Sequence, residues 1–132
     1  FKMKKLFISC PMKGRTEENI KKSMEKMHRI AEAVFEQKLE VIPSYIEDRP
    51  PKDSREAVWY LGESIKLLAQ ADYFIGTDTY EFTGCNIERD AARSYYIPFY
   101  LLPLKFAVTR EELEESRRVE QPANCVCDCS KA

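Results

Sequence analysis

A carboxylate lies on the apolar side of the helix that the sequence predicts after Gly84. Counting 100° per residue, Glu88 falls beside the inward-facing arc of that helix. The predicted arc consists of Ile87, Ala91 and Tyr95. The opposite side of the helix carries Arg89, Asp90 and Arg93. Burying a carboxylate is costly unless other groups stabilise it. Glu88 is therefore either a nucleophile, ionised near a helix N-terminus, or a structural acid paired with an arginine or with capping backbone.

A second set of candidates follows the first predicted strand. Lys13, Gly14 and Arg15 bring two cations and a flexible backbone to the start of a helix, which suits a phosphate. A solvated charge cluster would have the same composition. Gly84, at the entry of the later helix, either leaves room for a ligand or is an ordinary turn glycine.

Polar side chains at the ends of predicted strands complete the set. Ser9 and Cys10 end the first strand, and Asp78 ends the third, where it can reach a sugar or a base. Cys10 would need a histidine to act as a nucleophile, and the single histidine of the chain, His28, lies at the edge of an apolar helical stripe. We therefore expect Glu88, not Cys10, to carry the chemistry.

Strands and helices alternate along the chain. The predicted strands are KKLFISC, EVIPSYI, DYFIGTD and IPFYLL, and the predicted helices are Thr16–Gln37, Ser54–Ala71, the helix after Gly84 and a charged helix that begins at a capping box of Thr109 and Glu112. This order predicts an α/β domain with a doubly wound parallel sheet of four to five strands and helices on both faces. Such sheets bind ligands at the carboxyl ends of their strands, here the loops SCPMKGR and TDTYEFTGCNIE.

The composition favours one domain and a small ligand. The 132 residues, 44% hydrophobic and 33% charged, suit a single core, which we place at residues 3–120 with a tail at 121–132. A net charge of -1 gives no basis for binding duplex nucleic acid. With no apolar run long enough for a membrane and no secretory signal, we expect a cytoplasmic protein. The cysteines, which include a CxCxC tail without an evident fourth ligand, predict reduced thiols and no metal. We expect no cofactor.

Three stretches together resemble the nucleoside 2-deoxyribosyltransferase superfamily. They are LFISCPMKGR, LLAQADYFIGTD and GCNIERDAARSYYIPFYLL, so that the resemblance covers about Lys4 to Leu102. It extends to the deoxynucleoside-monophosphate N-glycosidases and to a short, phage-associated branch. It implies a Rossmann-like or flavodoxin-like fold and a glutamate that attacks the anomeric carbon of a nucleoside or nucleotide.

The resemblance assigns roles to individual positions. Glu88 matches the nucleophile, and Gly84 matches the glycine four residues before it. The first strand and its loop would shape the sugar and phosphate pocket, and the basic loop favours a 5′-phosphate. The substrate-binding residues that we predict are Phe7, Ser9, Cys10, Met12, Lys13, Gly14, Arg15, Ser64, Asp78, Phe82, Thr83 and Gly84.

The chain differs from the family pattern at positions near the nucleophile. Phe7 stands where many members have tyrosine, Ser64 where they have aspartate, and Phe82 where they often have aspartate or serine. Ser64 cannot protonate a departing base. Three hypotheses therefore stay open: a hydrolase or transferase acting on the N-glycosidic bond of a (deoxy)ribonucleoside 5′-monophosphate, a module that sequesters a nucleotide unchanged, and a structural subunit. Members of the family are commonly dimers or larger, and we expect Tyr60 and Leu67 to be exposed for such a contact.

Overall fold

The computed structural model describes residues 2–44 and 46–118. The elements, in chain order, are β1 (Lys4–Ile8), α1 (Glu17–Val34), β2 (Leu39–Val41), α2 (Glu56–Leu68), β3 (Tyr73–Thr77), α3 (Thr83–Ser94), β4 (Phe99–Leu102), a 3-10 turn (Leu104–Phe106) and α4 (Arg110–Arg118). The predicted alternation of strands and helices is confirmed. The CxCxC tail and the predicted domain end at residue 120 lie outside the described residues.

The strands form one parallel sheet in the order β2-β1-β3-β4. β1 pairs on one side with β2 and on the other with β3, where Ile8 lies opposite Ile75. β3 in turn pairs with β4. The chain therefore proceeds in opposite directions from β1 and from β3, and the carboxyl ends of these two strands border the crevice where ligands bind in such sheets. The α/β fold prediction is confirmed.

Side chains of β1 alternate between the two faces of the sheet, and each face has its own core. Leu6 and Ile8 pack with buried residues of α1, namely Ile20, Met27 and Ala31. Phe7 packs on the other face with Leu68 of α2 and Ala92 of α3. Helices thus cover both faces, and Leu113 of α4 joins the α1 side. None of the helices in residues 2–44 and 46–118 has the combined length and apolarity that a bilayer crossing requires.

Local hydrogen bonds account for where the elements begin and end. Thr109 and Glu112 form the predicted capping box, in which the backbone N–H of each donates to the side chain of the other at 3.1 Å. Thr16 caps α1 by accepting from the N–H of Asn19 at 3.1 Å. β2 is shorter than predicted, because Pro43 has no N–H to continue the ladder beyond Ile42.

The prediction of an exposed Tyr60 is wrong. Tyr60 is 6% exposed and belongs to the buried stripe of α2. Leu67 is half-buried and packs against the core cluster around Phe7. Exposed aromatic side chains lie elsewhere: Tyr80, Tyr95, Tyr96, Phe99 and Phe106.

Candidate active site at the carboxyl ends of β1 and β3

Two serines hold the carboxylate of Glu88. Glu88 is 1% exposed. Ser9 Oγ donates to Glu88 Oε1 at 2.7 Å, and Ser64 Oγ donates to Glu88 Oε2. Because both serines are buried as well, these hydrogen bonds form where the local dielectric is low and are stronger than in water. They orient both carboxylate oxygens and offset part of the cost of removing the group from water.

The two serines come from separate elements that packing brings together. Ser9 follows β1 directly, and its backbone N–H donates to the carbonyl of Ile75 in β3 at 2.8 Å. Ser64 belongs to the buried stripe of α2. Because that stripe faces the sheet, the hydroxyl of Ser64 reaches Glu88. The position at which the resemblance implies an aspartate therefore does contact the predicted nucleophile, with a hydroxyl in place of the acid.

Gly76 makes room for the ring of Phe74, next to Ser9. A Cβ at position 76 would lie 2.8 Å from Cε1 of Phe74 and 3.6 Å from Cβ of Ser9. The first contact is a clash with a fully buried ring, and the second is ordinary van der Waals contact. Gly76 was not among the predicted site residues, although a glycine inside an apolar strand is a usual sign of close approach by other groups.

The predicted buried side of α3 is wrong: the buried face lies about 100° further around the helix, which corresponds to one residue. The buried residues are Gly84, Cys85, Glu88, Arg89 and Ala92. Ile87 is 39% exposed and Tyr95 is 81% exposed. The small side chains of Cys85 and Ala92 mark the side on which α3 approaches the sheet. Glu88 therefore lies at the centre of the buried face and not at its margin.

Arg89 is a buried cation that sequence analysis placed on the solvent side. It is 4% exposed. Its Nη1 donates to the carbonyl of Thr79 at 2.8 Å and to that of Thr77 at 3.3 Å, and its guanidinium lies 4.5 Å from the ring centroid of Tyr80. Arg89 thus fixes the connection between β3 and α3. The spacing of Cys85, Arg89 and Ala92, three and four residues apart, was the signal for this face.

Arg15, predicted to bind a ligand phosphate, is committed to protein groups. Its side chain is 1% exposed, and its Nε lies 2.8 Å from Glu112 Oε2 in α4. Its Nη1 donates to the carbonyl of Pro11 at 2.8 Å, and its Nη2 donates to Ser23 Oγ at 2.6 Å and to the carbonyl of Ala107 at 3.1 Å. Arg15 therefore joins the loop after β1 to α4 and does not present its guanidinium to a ligand in this arrangement.

The N-termini of α1 and α3 differ in what they offer an anion. Gly14, in the turn before α1, has φ 71°, a left-handed conformation that favours glycine, and Lys13 beside it is half-buried. However, α1 is capped by Thr16 and carries Glu17 and Glu18 in its first turn. In α3 the first turn has no acidic residue, and no described side chain caps it. The N-terminus of α3 is thus the more favourable of the two for a negative group.

The remaining predicted site residues divide between core and surface. Phe7 is buried and stacks on Phe74 with ring centroids 5.8 Å apart. Met12 and Phe82 are buried too, and Phe82 occupies the N-cap position just before α3. Asp78 is exposed and accepts from the backbone N–H of Leu104 at 3.1 Å, while Thr83 is exposed and Gly84 is buried. Of the predicted residues, Ser9 and Ser64 are the ones whose hydrogen bonds join them to Glu88.

Cys10 is a structural thiol. It is fully buried, and that burial raises its pKa to about 12, against the opposing effect of Arg15. His28, the single histidine of the chain, makes its contacts elsewhere: its Nε2 lies 2.9 Å from the carbonyl of Leu39 and 3.3 Å from Glu32. A thiol that stays protonated at neutral pH is a poor nucleophile. Cys10 is therefore a poor candidate for a nucleophile.

An open groove of about 400 Å³ lies beside α1, and neither Glu88 nor its serine partners line it. Its apolar lining consists of Ile8, Met12, Ile20, Met24 and Val41. Ile20 and Met24 belong to α1, whereas Ser64 belongs to α2 and Glu88 to α3. The groove is therefore separate from the carboxylate.

The described part of the chain thus defines an α/β protein with a buried, serine-bonded carboxylate at the carboxyl ends of two neighbouring parallel strands. In residues 2–44 and 46–118 no group of three or more His, Cys, Asp or Glu side chains is arranged to hold a metal ion. Comparison of the chain with protein-family models, with curated proteins and with solved structures found no match. The resemblance to the nucleoside 2-deoxyribosyltransferase superfamily stays a prediction that rests on the sequence motifs.

Proposed function

We propose that the protein cleaves or exchanges the N-glycosidic bond of a (deoxy)ribonucleoside 5′-monophosphate, with Glu88 as the nucleophile. The observation that carries the proposal is the Glu88 carboxylate, 1% exposed and bonded to Ser9 and Ser64. A well-packed apolar side chain is often more stable than a buried charge. A buried carboxylate beside the crevice of a doubly wound sheet is therefore a candidate for function.

The reaction follows the pattern of retaining glycosidases. An oxygen of Glu88 bonds to the anomeric carbon while the bond to the base nitrogen breaks, and the bonding electrons leave with the base, which takes up a proton. Water then cleaves the glycosyl ester, which restores the carboxylate and releases the sugar phosphate, whereas a second base in place of water gives transfer. Ser9 and Ser64 orient the carboxylate but are not acids, so the proton reaches the base from solvent. Side chains over Glu88 have to move before a substrate can enter.

The N-terminus of α3 is the preferred place for the 5′-phosphate. It carries no acidic side chain in its first turn and begins only a few residues before Glu88. Backbone N–H groups and the helix dipole at such a position favour a phosphate. Lys13 and Gly14 can contribute from the loop after β1, whereas Arg15 is held by Glu112.

The test is release of free base from a panel of ribo- and deoxyribonucleoside monophosphates, measured by chromatography. We expect Glu88→Gln, which keeps the side-chain size but cannot form the ester, to lower the rate by more than about a thousandfold. Glu63→Gln is the matched control, because Glu63 precedes Ser64 in α2 but pairs with Lys66 at 2.8 Å. It should leave the rate unchanged. Absence of release, or release that persists in Glu88→Gln, refutes the proposal.

A specific observation favours a second function, in which the chain binds a nucleotide and does not turn it over. Ser64 contacts Glu88 where the resemblance implies an acid, and this acid would activate the leaving base. Without it, the same crevice can sequester a nucleotide. Calorimetry with the same panel would then show saturable binding, and chromatography of the recovered ligand would show it unchanged. Binding to none of the nucleotides would exclude this second function.

The resemblance also implies a homodimer, which we retain as part of the proposal. Tyr95 and Tyr96 at the end of α3 are 81% and 91% exposed, and Phe99 at the start of the edge strand β4 is 42% exposed. Exposed aromatic side chains so close together in the chain suit such a contact. Light scattering at two protein concentrations would test it, and a monomer mass at both would refute it.

A further inference from the structure

We propose that Tyr80 is a stacking platform for the planar base of the ligand. Tyr80 follows β3 by three residues and is 77% exposed, at the carboxyl edge of the sheet that also holds Glu88. This inference rests on the proposed function in one respect, because it takes the ligand to be a nucleotide. It adds the residue that recognises the base.

The ring of Tyr80 is supported from below by a fixed cation. The guanidinium of Arg89 lies 4.5 Å from the ring centroid. Arg89 is itself 4% exposed and is tied by Nη1 to the carbonyls of Thr77 and Thr79. The cation–π contact therefore holds one face of the ring against the protein and leaves the other face to solvent.

The backbone around Tyr80 is anchored as well. Asn86 Nδ2 donates to the carbonyl of Tyr80 at 2.8 Å, and the N–H of Glu81 donates to Thr79 Oγ1 at 3.1 Å. The carboxylate of Glu81 pairs with Arg117 of α4, with contacts at 2.5 and 3.0 Å. An exposed aromatic ring on an anchored loop loses little further conformational entropy when a ligand stacks on it.

Unpaired polar atoms are concentrated at the same connection. Among buried side-chain atoms of the described residues, those without a hydrogen-bond partner are Thr77 Oγ1, Asn86 Oδ1 and Arg89 Nη2. All three belong to the residues that carry or support Tyr80. Buried polar atoms are rarely left unpaired in proteins, and the exceptions call for an explanation such as a functional role. This is an observation independent of the exposure of the ring.

A planar heteroaromatic base fits the platform better than an aliphatic group does. Stacking of a base on an aromatic side chain is worth roughly five- to 150-fold in affinity, as judged by alanine substitution. The larger ring system of a purine covers more of the tyrosine face than a pyrimidine does. We therefore expect the site to prefer purine nucleotides.

The test is calorimetric titration of the full chain with AMP, GMP, CMP, UMP and ribose 5-phosphate, the last of which lacks a base. Tyr80→Ala should weaken nucleotide binding by roughly five- to 150-fold and leave the affinity for ribose 5-phosphate unchanged. Tyr80→Phe, which keeps the ring, should stay within about threefold of the wild type, a change below 1 kcal/mol. Phe106→Ala is the matched control, because Phe106 is an exposed aromatic residue (47%) in the turn after β4 and belongs neither to the proposed site nor to the proposed dimer contact.

Each outcome decides the proposal. Unchanged nucleotide affinity in Tyr80→Ala, an equal loss for ribose 5-phosphate, or no nucleotide binding to the wild type would overturn it. Thermal unfolding of the same variants shows whether a loss of affinity comes with a loss of fold. If Tyr80→Ala is unfolded, Tyr80→Phe, which keeps the ring, still tests whether the aromatic face is sufficient for binding. Base release measured in parallel separates this inference from the glycosidase proposal. Nucleotide binding that depends on Tyr80, without release of base, would support the stacking role of Tyr80 and refute the glycosidase proposal. Release of base that depends on Glu88 but not on Tyr80 would support the glycosidase proposal and refute the stacking role.

Discussion

Replacing Ser64 by alanine tests whether Glu88 is held by a charge-assisted hydrogen bond. The change removes the donor from Glu88 Oε2 at a place where Glu88 is 1% and Ser64 5% exposed, so water cannot readily replace it. A hydrogen bond to a charged group contributes about 1.5–3 kcal/mol, and alanine returns about 0.5 kcal/mol through its higher helix propensity. The free energy of unfolding should therefore fall by about 1–2.5 kcal/mol.

Ser116 provides a matched control within the same chain. It is 4% exposed, and its hydroxyl donates to the neutral carbonyl of Leu113 at 2.8 Å in α4. A neutral hydrogen bond contributes about 1 kcal/mol, so Ser116→Ala should cost about 0.5 kcal/mol after the same helix correction. The assay is urea unfolding at pH 7, with the slope against denaturant unchanged in both variants.

A double-mutant cycle isolates the charge at Glu88. In the Glu88→Gln background the acceptor of Ser64 is a neutral amide, and Ser64→Ala should then cost only about 0–1 kcal/mol. If Ser64→Ala costs no more than Ser116→Ala in the wild-type chain, or costs the same in both backgrounds, the carboxylate is not held as described. The proposed function would then lose the observation on which it rests.

Further predictions concern the buried arginine, its partner and the buried thiol. Arg15→Met leaves Glu112 without its cation and should lower the free energy of unfolding by about 3–5 kcal/mol, measured by thermal unfolding. The control is Arg110→Met, which should change this free energy by less than about 0.5 kcal/mol because the Arg110 side chain is 89% exposed. Equal effects of the two substitutions would contradict a stabilising Arg15–Glu112 pair. Burial opposes ionisation of Glu112, but hydrogen bonds from Arg15 and Thr109 outweigh it and hold its pKa below the ordinary 4.5. A carboxyl group whose pKa is lower in the folded state stabilises the fold above its unfolded pKa, and this stabilisation is lost as the pH falls through the folded-state pKa. The urea unfolding curves of the wild type and of Glu112→Gln should therefore converge as the pH falls below about 4.5. A constant difference between the two curves down to pH 3 would contradict the lowered pKa of Glu112. Cys10, with its pKa raised to about 12, should resist iodoacetamide at pH 8 in the native protein and react only in denaturant, as peptide mass spectrometry would show, and rapid native labelling would be the contrary result.

Local patterns in the sequence were sufficient for the order of the elements. The strand and helix periods, the capping box of Thr109 and Glu112 and the turn residues each act within a few positions of the chain, so they predict structure without knowledge of the rest. The alternation of strands and helices then leaves few arrangements besides a parallel sheet with helices on both faces. The burial of Glu88 was predicted from its place beside an apolar stripe within one helix, although Ile87 and Tyr95 of that stripe are exposed.

The tertiary structure alone decided how α3 is rotated against the sheet. Helical periodicity gives the angle between two side chains but not which angle faces the neighbouring layer. In the packed fold the buried face of α3 includes Cys85, Glu88, Arg89 and Ala92. Arg89 was assigned to solvent, although it supports the loop of Tyr80.

The sequence likewise did not predict which groups the charged side chains contact. Arg15 pairs with Glu112, 97 residues away, and Glu88 with serines from two other elements. The sequence determined that these polar groups exist and that the strands end near them. Which of them meet depends on distances of a few ångströms between elements far apart in the chain, and only the packed fold sets those distances.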